Sequence, residues 1–189
     1  MGRKHRLIVG VSGASGIALA EALLRELRGH EDWETHLIMT AGARITAEYE
    51  LSPERRSLEA LADVTYRESD IAAAPASGSF HTDAMIILPC SMKTLAGIHS
   101  GYAENLLLRA ADVTIKERRP LILCPRETPL SPIHLRNLQE LSLMGVSVVP
   151  PMMTFYGGER TIDDMIRHFI GKLLDQLHID CDYQRWGES

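Results

Sequence analysis

The residues best suited to chemistry follow a short apolar segment in the second half of the chain. Residues 121–124 form an apolar run between prolines, which predicts a strand buried on both faces. Arg126 and Glu127 follow directly, enclosed by two further prolines. Ligands of open parallel sheets bind at the carboxyl ends of strands, where a guanidinium could bind an anion and a carboxylate could move a proton. The alternative interpretation of such a pair is a salt bridge within a loop.

Three further predicted strands end in small, hydroxyl-bearing turns. Gly13 and Ser15 precede the first predicted helix, Thr40 ends the second strand, and Ser91 and Thr94 open another helix. Helix N-termini offer unpaired N–H groups to an anion, and the hydroxyls add donors. The spacing is not that of a dinucleotide-binding G-x-G-x-x-G motif, so a mononucleotide phosphate on a flavin-sized ligand is favoured. The alternative is N-capping in tight turns that bind no ligand.

Two cations share one face of the helix predicted over 104–117. Arg109, Asp112 and Lys116 are spaced at i, i+3 and i+7, so they lie on one side. On a cavity wall the two cations would bind phosphate. On the surface, Arg109 and Asp112 would form an ion pair worth well under about 1 kcal/mol. Lys172 borders an apolar helix face, and Tyr156 follows two prolines. For each, the sequence allows either contact with a ligand or ordinary packing on the protein.

Short apolar runs alternate with helical patterns along the chain and would position these residues. Strands are predicted over 7–11, 35–39, 84–88, 121–124 and 146–149, and helices over 17–27, 43–50, 94–99, 104–117 and 132–144. Thr161 and Asp164 form a capping box that opens a last helix, with apolar residues from Ile162 to Leu177 at helical spacing. This order predicts an α/β fold: a single Rossmann-like (flavodoxin-like) domain over 1–189, with a mostly parallel sheet and helices on both faces. Residues 52–79 show no regular pattern, and the tail over about 179–189 is expected to pack on the site or on a neighbour.

Composition limits the function classes. The chain has 189 residues, 45% of them hydrophobic, and a formal net charge of −5, which argues against binding nucleic acid. No apolar segment approaches the length of a membrane span. The three cysteines are odd in number and form no Cys-x-x-Cys pair, which favours a reducing, cytoplasmic location. The eight histidines show no metal-ligand spacing, so no metal is expected.

Taken in order, six motifs resemble those of the UbiX/Pad family of flavin prenyltransferases. They are Gly-Ala-Ser-Gly at 13–16, Pro-Ala-Ser-Gly-Ser at 75–79, Pro-Cys-Ser-x-x-Thr at 89–94, Arg-Ala-Ala-Asp at 109–112, Lys-Glu-Arg-Arg-Pro-Leu at 116–121 and Pro-Arg-Glu-Thr-Pro at 125–129. The resemblance implies that the protein binds FMN and alkylates its N5 and C6 atoms with dimethylallyl phosphate, without a metal. The product, prenylated FMN, would serve a UbiD-type decarboxylase. The resemblance also implies a homododecamer with sites built across subunit interfaces.

The resemblance also implies roles for individual residues. FMN would be bound by Gly13, Ala14, Ser15, Thr40, Ser91, Met92, Lys93, Thr94 and Arg126. Dimethylallyl phosphate would be bound by Ser77, Gly78, Arg109, Lys116, Tyr156 and Lys172, with Glu50 and Trp186 as secondary site residues. The catalytic residues would be Glu127 as the acid/base, Lys116, Arg109 and Tyr156. Thr40 stands where the family usually has Ser, and Lys172 stands where others carry Arg, which would replace a bidentate phosphate contact with a point charge.

Two alternatives stay open on the sequence. One is an FMN-binding, non-catalytic subunit of an aromatic-acid decarboxylase, although flavin storage alone would not need the Arg109, Lys116, Glu127 and Tyr156 set. The other is a flavin-dependent cysteine decarboxylase, a family related in fold. That family has an Asn where this chain has Lys93, and its catalytic His lies further upstream of the third strand than His81 does.

Overall fold

The computed structural model describes residues 3–55, 57–156, 158 and 160–187. The chain divides into two compact units, Met1–Pro150 and Pro151–Ser189. The first unit contains the sheet and five α-helices, and the second contains the last α-helix and the tail. Of the helices that the structure describes, none is both long and apolar enough to span a membrane.

The sheet of the first unit has six strands in the order β3-β2-β1-β4-β5-β6, and all neighbouring strands pair in parallel. The strands are β1 His5–Val11, β2 Trp33–Met39, β3 Val64–Arg67, β4 Ala84–Cys90, β5 Leu121–Pro125 and β6 Ser147–Val148. This is the order of a doubly wound Rossmann sheet, and it confirms the predicted fold class. The order reverses between β1 and β4, the place where such sheets bind ligands.

Five α-helices flank this sheet, and a sixth forms the core of the second unit. They are α1 Ile17–Leu27, α2 Ala41–Glu50, α3 Met92–His99, α4 Leu106–Lys116, α5 Pro132–Leu143 and α6 Ile162–Leu174. Side chains cap most of their N-termini: Thr40 caps α2, Ser91 caps α3 and Asn105 caps α4. These bounds agree with the predicted helices to within about two residues at most ends.

Helices cover both faces of the sheet, as predicted. On one face, Ile8, Met85 and Leu123 belong to a core that also includes buried residues of α3, α4 and α5. Neighbouring strand residues point to the opposite face, because side chains alternate along a strand. There α1 contacts β2 and β4 and buries its apolar residues, among them Leu23 and Leu24.

Two strands differ from the sequence prediction. β3 lies within residues 52–79, for which no strand was predicted. Its side chains alternate between half-buried and exposed at the sheet edge, so they form no apolar run that would indicate a strand. β6 is only two residues long, Ser147–Val148, where a strand was predicted over 146–149. Edge strands bury little surface, so apolar runs in the sequence are a poor predictor of where they lie.

The second unit is built on α6. The predicted capping box is confirmed, since Asp164 N–H donates to Thr161 and the Asp164 carboxylate accepts from Thr161 N–H in return. Phe169 and Leu173 are buried, whereas Ile162 is 77% exposed although its spacing places it with the apolar positions. In the tail, Ile179 and Cys181 are buried.

A buried carboxylate on α1 should make a measurable contribution to stability. The Glu21 side chain is 1% exposed and accepts hydrogen bonds from Arg25 and Arg55. Burial alone would raise the pKa of Glu21, but the two guanidiniums outweigh it and hold this pKa below its usual value. Replacing Glu21 with glutamine is therefore expected to lower the free energy of unfolding at pH 7 by about 2 kcal/mol.

The pH dependence follows from the direction of that shift. The unfolded state binds a proton at Glu21 more readily than the folded state does. The contribution of Glu21 to stability is therefore complete above its pKa in the unfolded state and is lost as pH falls through its pKa in the folded state. Urea unfolding at pH 7 and near pH 4 measures it, with Glu26→Gln on the same helix as the control. If the Glu21 variant lost the same free energy of unfolding at both pH values, the shape of the Glu21 side chain and not its charge would be responsible for the stabilisation.

Candidate active site

A cavity of about 510 Å³ opens beside the carboxyl ends of β1, β2 and β4. Its lining includes five of the residues predicted to bind a flavin phosphate or flavin: Gly13, Thr40, Ser91, Lys93 and Thr94. They come from three segments that are far apart in sequence, and the parallel sheet brings them together by aligning its strand ends. The cavity volume lies in the range usual for small-molecule sites.

Ser12 fixes the two turns that meet at this cavity. Its hydroxyl donates to the carbonyl of Pro89 at 2.9 Å and accepts from the backbone N–H of Ser91 at 2.7 Å. The Ser12 side chain is buried. The Ser12 hydroxyl therefore joins the end of β1 to the end of β4.

Close backbone contact shapes the other end of the cavity wall. A Cβ atom added at Gly13 would lie 3.0 Å from Cα of Gly42, and one added at Gly42 would lie 3.3 Å from Cα of Gly13. Side chains at either position would separate the β1–α1 turn from the start of α2. Glycine is thus required here by the approach of two backbone segments, and not by an unusual dihedral angle.

Both α2 and α3 begin at the cavity, and each begins with a hydroxyl cap. Thr40 accepts from Ala43 N–H at 3.1 Å, and Ser91 accepts from Thr94 N–H at 3.2 Å while donating to the Thr94 hydroxyl at 3.1 Å. The N-capping interpretation is therefore correct, yet the capping residues also line the cavity. The positive end of α3, three hydroxyls and the Lys93 ammonium form a donor set suited to a phosphate and a polar chain.

The N-terminus of α1 is used differently from expectation. The Glu50 carboxylate accepts from Gly16 N–H at 2.9 Å and from Ile17 N–H at 2.8 Å. A negative charge from the end of α2 thus occupies the amides that the sequence predicts to be open to a ligand anion. Glu50 was expected as a secondary site residue, and the structure places its carboxylate in the glycine-rich turn next to the cavity.

Four residues predicted to bind FMN are not part of the cavity lining: Ala14, Ser15, Met92 and Arg126. Ala14 and Ser15 lie in the same turn as Gly13, but neither is among the lining residues of this described pocket. Met92 is half-buried and packs against the core on α3. Their flavin contacts stay predictions.

Glu68 lines the cavity and was missed from the sequence. Its carboxylate accepts from Ala41 N–H at 2.6 Å, its other oxygen lies 3.4 Å from Asn105 Nδ2, and its backbone carbonyl accepts from Leu106 N–H at 2.8 Å. It therefore joins the end of β3 to the starts of α2 and α4. Since β3 itself showed no sequence pattern, no signal marked Glu68 as the residue at a strand end.

A second group of site residues surrounds the turn at 77–79. Arg109 Nε donates to the carbonyl of Ala76 at 3.2 Å, and a Cβ atom added at Gly78 would lie 2.8 Å from Lys116 Nζ. Ser77 and Ser79 hydroxyls lie 2.8 Å apart in the same turn. The predicted proximity of Ser77, Gly78, Arg109 and Lys116 is thus what the structure shows.

Each of these two cations also has a carboxylate partner. Arg109 donates to Asp112 at 2.5 Å, as the surface interpretation of this pair predicted. Lys116 pairs with Glu117, and this hydrogen bond lowers the pKa of the Glu117 carboxyl. The two interpretations of Arg109 are compatible, because Arg109 contacts Asp112 and the turn at the same time.

Arg119 organises this turn, a role that the sequence did not reveal. Its guanidinium donates to the carbonyl of Gly78 at 2.8 Å and to that of Phe80 at 3.0 Å, and it reaches the Thr82 hydroxyl at 3.3 Å. The Lys-Glu-Arg-Arg-Pro-Leu motif thus supplies one cation beside the turn, Lys116, and one that holds its backbone, Arg119.

Arg126 and Glu127 lie at the end of β5, as predicted. Arg126 N–H donates to the carbonyl of Cys90 at 3.2 Å, so the loop begins next to the Ser91 turn. Both side chains are exposed, and the Glu127 carboxylate accepts from Thr128 N–H at 3.0 Å. Between these two described side chains there is no ion pair, so the loop salt bridge is not what the structure shows.

Three predicted site residues lie in the second unit. Tyr156 is 51% exposed and Trp186 is 78% exposed, and their rings meet edge to face with centroids 5.0 Å apart. Lys172 is exposed on α6. Among the described residues of the whole chain, no group of three or more His, Cys, Asp or Glu side chains could hold a metal ion.

Comparison with known proteins agrees with this geometry. Residues 1–174 match the family model described as Flavoprotein. The chain is 51% identical over 96% of its length to a probable UbiX-like flavin prenyltransferase of Streptomyces sp. (strain D7), of which it covers 91%. It is similar to the crystal structure of AnUbiX (PadA1) in complex with FMN and dimethylallyl pyrophosphate, with a TM-score of 0.94 and 44% identity over 99% of this chain and 100% of that one. It is also similar to a dodecameric FMN-dependent UbiX-like decarboxylase from Escherichia coli O157:H7, with a TM-score of 0.93 and 49% identity over 97% and 100% of the two chains.

Proposed function

Since the chain belongs to the family of UbiX-like flavin prenyltransferases, we propose that it transfers the dimethylallyl group of dimethylallyl phosphate to N5 and C6 of FMN. The observation that carries this proposal is that one unit contains both a phosphate-suited cavity and a turn that Arg109 and Lys116 contact. The cavity holds hydroxyls and helix N-termini, and the turn at 77–79 lies against Arg109 and Lys116. A protein that only stored FMN would need the first feature and not the second.

FMN is the acceptor substrate in this proposal. Thr40, Ser91 and Thr94 at the starts of α2 and α3 bind its phosphate and ribityl chain, with Lys93 adding a charge. Gly13 lets the backbone approach the ligand closely. Arg126, in the loop after β5, is a further FMN contact in this proposal. The reduced isoalloxazine ring supplies the nucleophilic N5 and C6 atoms.

Dimethylallyl phosphate is the donor, and its allylic carbon–oxygen bond breaks as inorganic phosphate leaves. Negative charge grows on the leaving group, so fixed cations lower the barrier most when they contact its oxygens. Arg109 and Lys116 supply these charges, and Tyr156 and Lys172 are further phosphate contacts in this proposal. Holding donor and acceptor together contributes by proximity.

Glu127 is the acid/base in this scheme. Its carboxylate takes the proton that leaves N5 when the first bond forms and returns it to the phosphate. When the second bond forms, the prenyl double bond gains one proton and C6 loses one, so the two steps together release only inorganic phosphate. Glu50 holds the N-terminus of α1, and Trp186 packs on Tyr156. Both therefore act as supports of the site.

The assembly and partners follow from the same proposal. A homododecamer is supported by the dodecameric relative and by large apolar side chains that this chain leaves exposed, namely Tyr49, Ile133, Leu143, Met153 and Phe155. Its prenylated FMN product serves a UbiD-type decarboxylase. A cytoplasmic location is supported by the free thiols of Cys90 and Cys124, because disulfides are rare in reducing compartments.

Mass spectrometry of the extracted flavin tests the proposal. After anaerobic incubation of the protein with reduced FMN and dimethylallyl phosphate, we expect the flavin to gain one isoprenoid unit and inorganic phosphate to be released in equal amount. A parallel reaction with dimethylallyl pyrophosphate identifies the preferred donor, and a reaction without donor is the control. Unmodified FMN from protein shown to bind both ligands would instead support the non-catalytic alternative.

A further inference from the structure

The Tyr156 hydroxyl is held by a histidine that no sequence motif marked. Tyr156 Oη and His168 Nε2 lie 3.2 Å apart, and their rings meet edge to face at 81°, with centroids 5.4 Å apart. His168 lies on α6 and is only 5% exposed, whereas Tyr156 is half exposed. A buried and therefore immobile ring thus contacts the polar end of a tyrosine that is accessible to a ligand.

His168 is itself held by the tail of the chain. The ring of Tyr183 meets it edge to face, with centroids 5.2 Å apart. Tyr183 packs directly on Gly171, where any Cβ atom would collide with its ring. The Arg185 guanidinium lies over this ring, 4.6 Å from the centroid.

The far end of Tyr183 is also fixed. Its hydroxyl donates to Asp175, which accepts a second hydrogen bond from Arg185 at 2.8 Å. The Arg185 hydrogen bond keeps the pKa of Asp175 below its usual value, and burial together with the Asp175 contact raises the pKa of Tyr183 to about 12. The carboxylate therefore stays an acceptor and the phenol a donor throughout the neutral pH range.

Trp186 completes the enclosure of Tyr156. Its ring meets Tyr156 edge to face, at 88° and with centroids 5.0 Å apart. Tyr156 is thus confined between rings of α6 and of the tail, with its hydroxyl directed at His168. Lys172, the other proposed phosphate contact of this unit, follows His168 by four residues and so lies on the same side of α6.

We propose that His168 is a positioning residue that orients the Tyr156 hydroxyl toward the phosphate of the prenyl donor. In the tautomer that carries its proton on Nε2, His168 donates to the phenolic oxygen, and the phenolic proton stays available for a phosphate oxygen. The histidine would then act through Tyr156 without touching substrate. This inference rests on the proposed function, since it assigns Tyr156 to the donor substrate.

A double-mutant cycle tests the inference. His168→Phe keeps the ring but removes the hydrogen bond, and we expect it to raise KM for dimethylallyl phosphate about fivefold, as one lost neutral hydrogen bond implies. The Kd of FMN should change by less than about twofold. His168→Gln retains a donor and should keep KM near the wild-type value.

The Tyr156→Phe background decides whether the effect passes through the tyrosine. If it does, adding His168→Phe to Tyr156→Phe changes KM no further. Fully additive effects, or an equal loss of FMN affinity, would overturn the proposal, because His168 would then act on the fold or on another part of the site.

A fluorescence measurement tests the role of His168 even if the protein transfers no prenyl group to FMN. The chain has two tryptophans, so Trp33→Phe leaves Trp186 as the single reporter beside Tyr156. In this background, His168→Phe should lower the anisotropy of Trp186 and His168→Gln should restore it. Unchanged anisotropy in the His168→Phe variant would overturn the positioning role. A wild-type protein that makes no prenylated flavin would overturn the proposed function alone.

Discussion

Replacing Lys116 with methionine is expected to lower kcat/KM for dimethylallyl phosphate by about 10²–10³-fold, the usual cost of removing one electrostatic stabiliser of a leaving group. Methionine keeps the length and apolar stem of lysine, so only the charge is lost. The Kd of FMN should change by less than about twofold, because Lys116 is absent from the described lining of the cavity. Continuous measurement of phosphate release, with FMN titration by fluorescence quenching, gives both quantities.

The geometry explains why Lys116 should matter more than its exposure suggests. Its ammonium lies against Gly78, in a turn whose backbone Arg119 and Arg109 hold in place. A phosphate bound at this turn would compete with Glu117 for the ammonium and would win on charge. Arg118→Gln is the matched control, since Arg118 is exposed and follows Lys116 by two residues. Equal losses in both variants would attribute the effect to net charge and not to a contact at the turn.

The sequence predicted the architecture of the site because strand ends are visible in it. The apolar runs of β1, β2, β4 and β5 are short and sharply bounded, so the residues that follow them are identifiable. A parallel sheet then brings these residues to one edge. Gly13, Thr40 and Ser91 line one cavity for this reason.

The parts that the sequence did not reveal depend on contacts between distant segments. Glu68 follows a half-exposed edge strand, so nothing in its surroundings marked it. Glu50 lies at the end of α2 and reaches the N-terminus of α1, a contact that no local pattern encodes. In both cases a carboxylate of the protein accepts from helix amides that the sequence predicts to be available to a ligand.

Hydroxyl groups were the least predictable part of the site. Ser12 and Ser91 both lie in donor-rich turns, yet Ser12 is buried and joins two strands while Ser91 lines the cavity. The role of a serine depends on the side of the turn on which it lies. Glycine-rich turns can adopt several backbone conformations, so the sequence pattern does not determine that side. His168 was missed because it lies among the buried residues of α6, and the helical pattern there indicated only packing.

Replacing Glu127 with glutamine is expected to lower kcat for prenyl transfer by about 10²–10⁴-fold, the range typical for loss of a general acid/base. Glutamine keeps the shape and still accepts a hydrogen bond from Thr128 N–H, but it cannot exchange a proton. KM for dimethylallyl phosphate and the Kd of FMN should change by less than about twofold, since neither ligand depends on the Glu127 charge for binding. Single-turnover mass spectrometry of the flavin measures the step directly.

Glu31→Gln provides the control for this prediction, because Glu31 is also exposed and lies in the turn before β2, remote from the strand ends that form the site. Normal turnover in the Glu127 variant would remove only its proton-transfer role and leave the cations at the 77–79 turn as the main catalytic groups. A loss confined to KM would instead assign Glu127 to ligand positioning. A loss confined to kcat is the result that the proton-transfer role requires, since a group that moves a proton acts in the transition state and not in substrate binding.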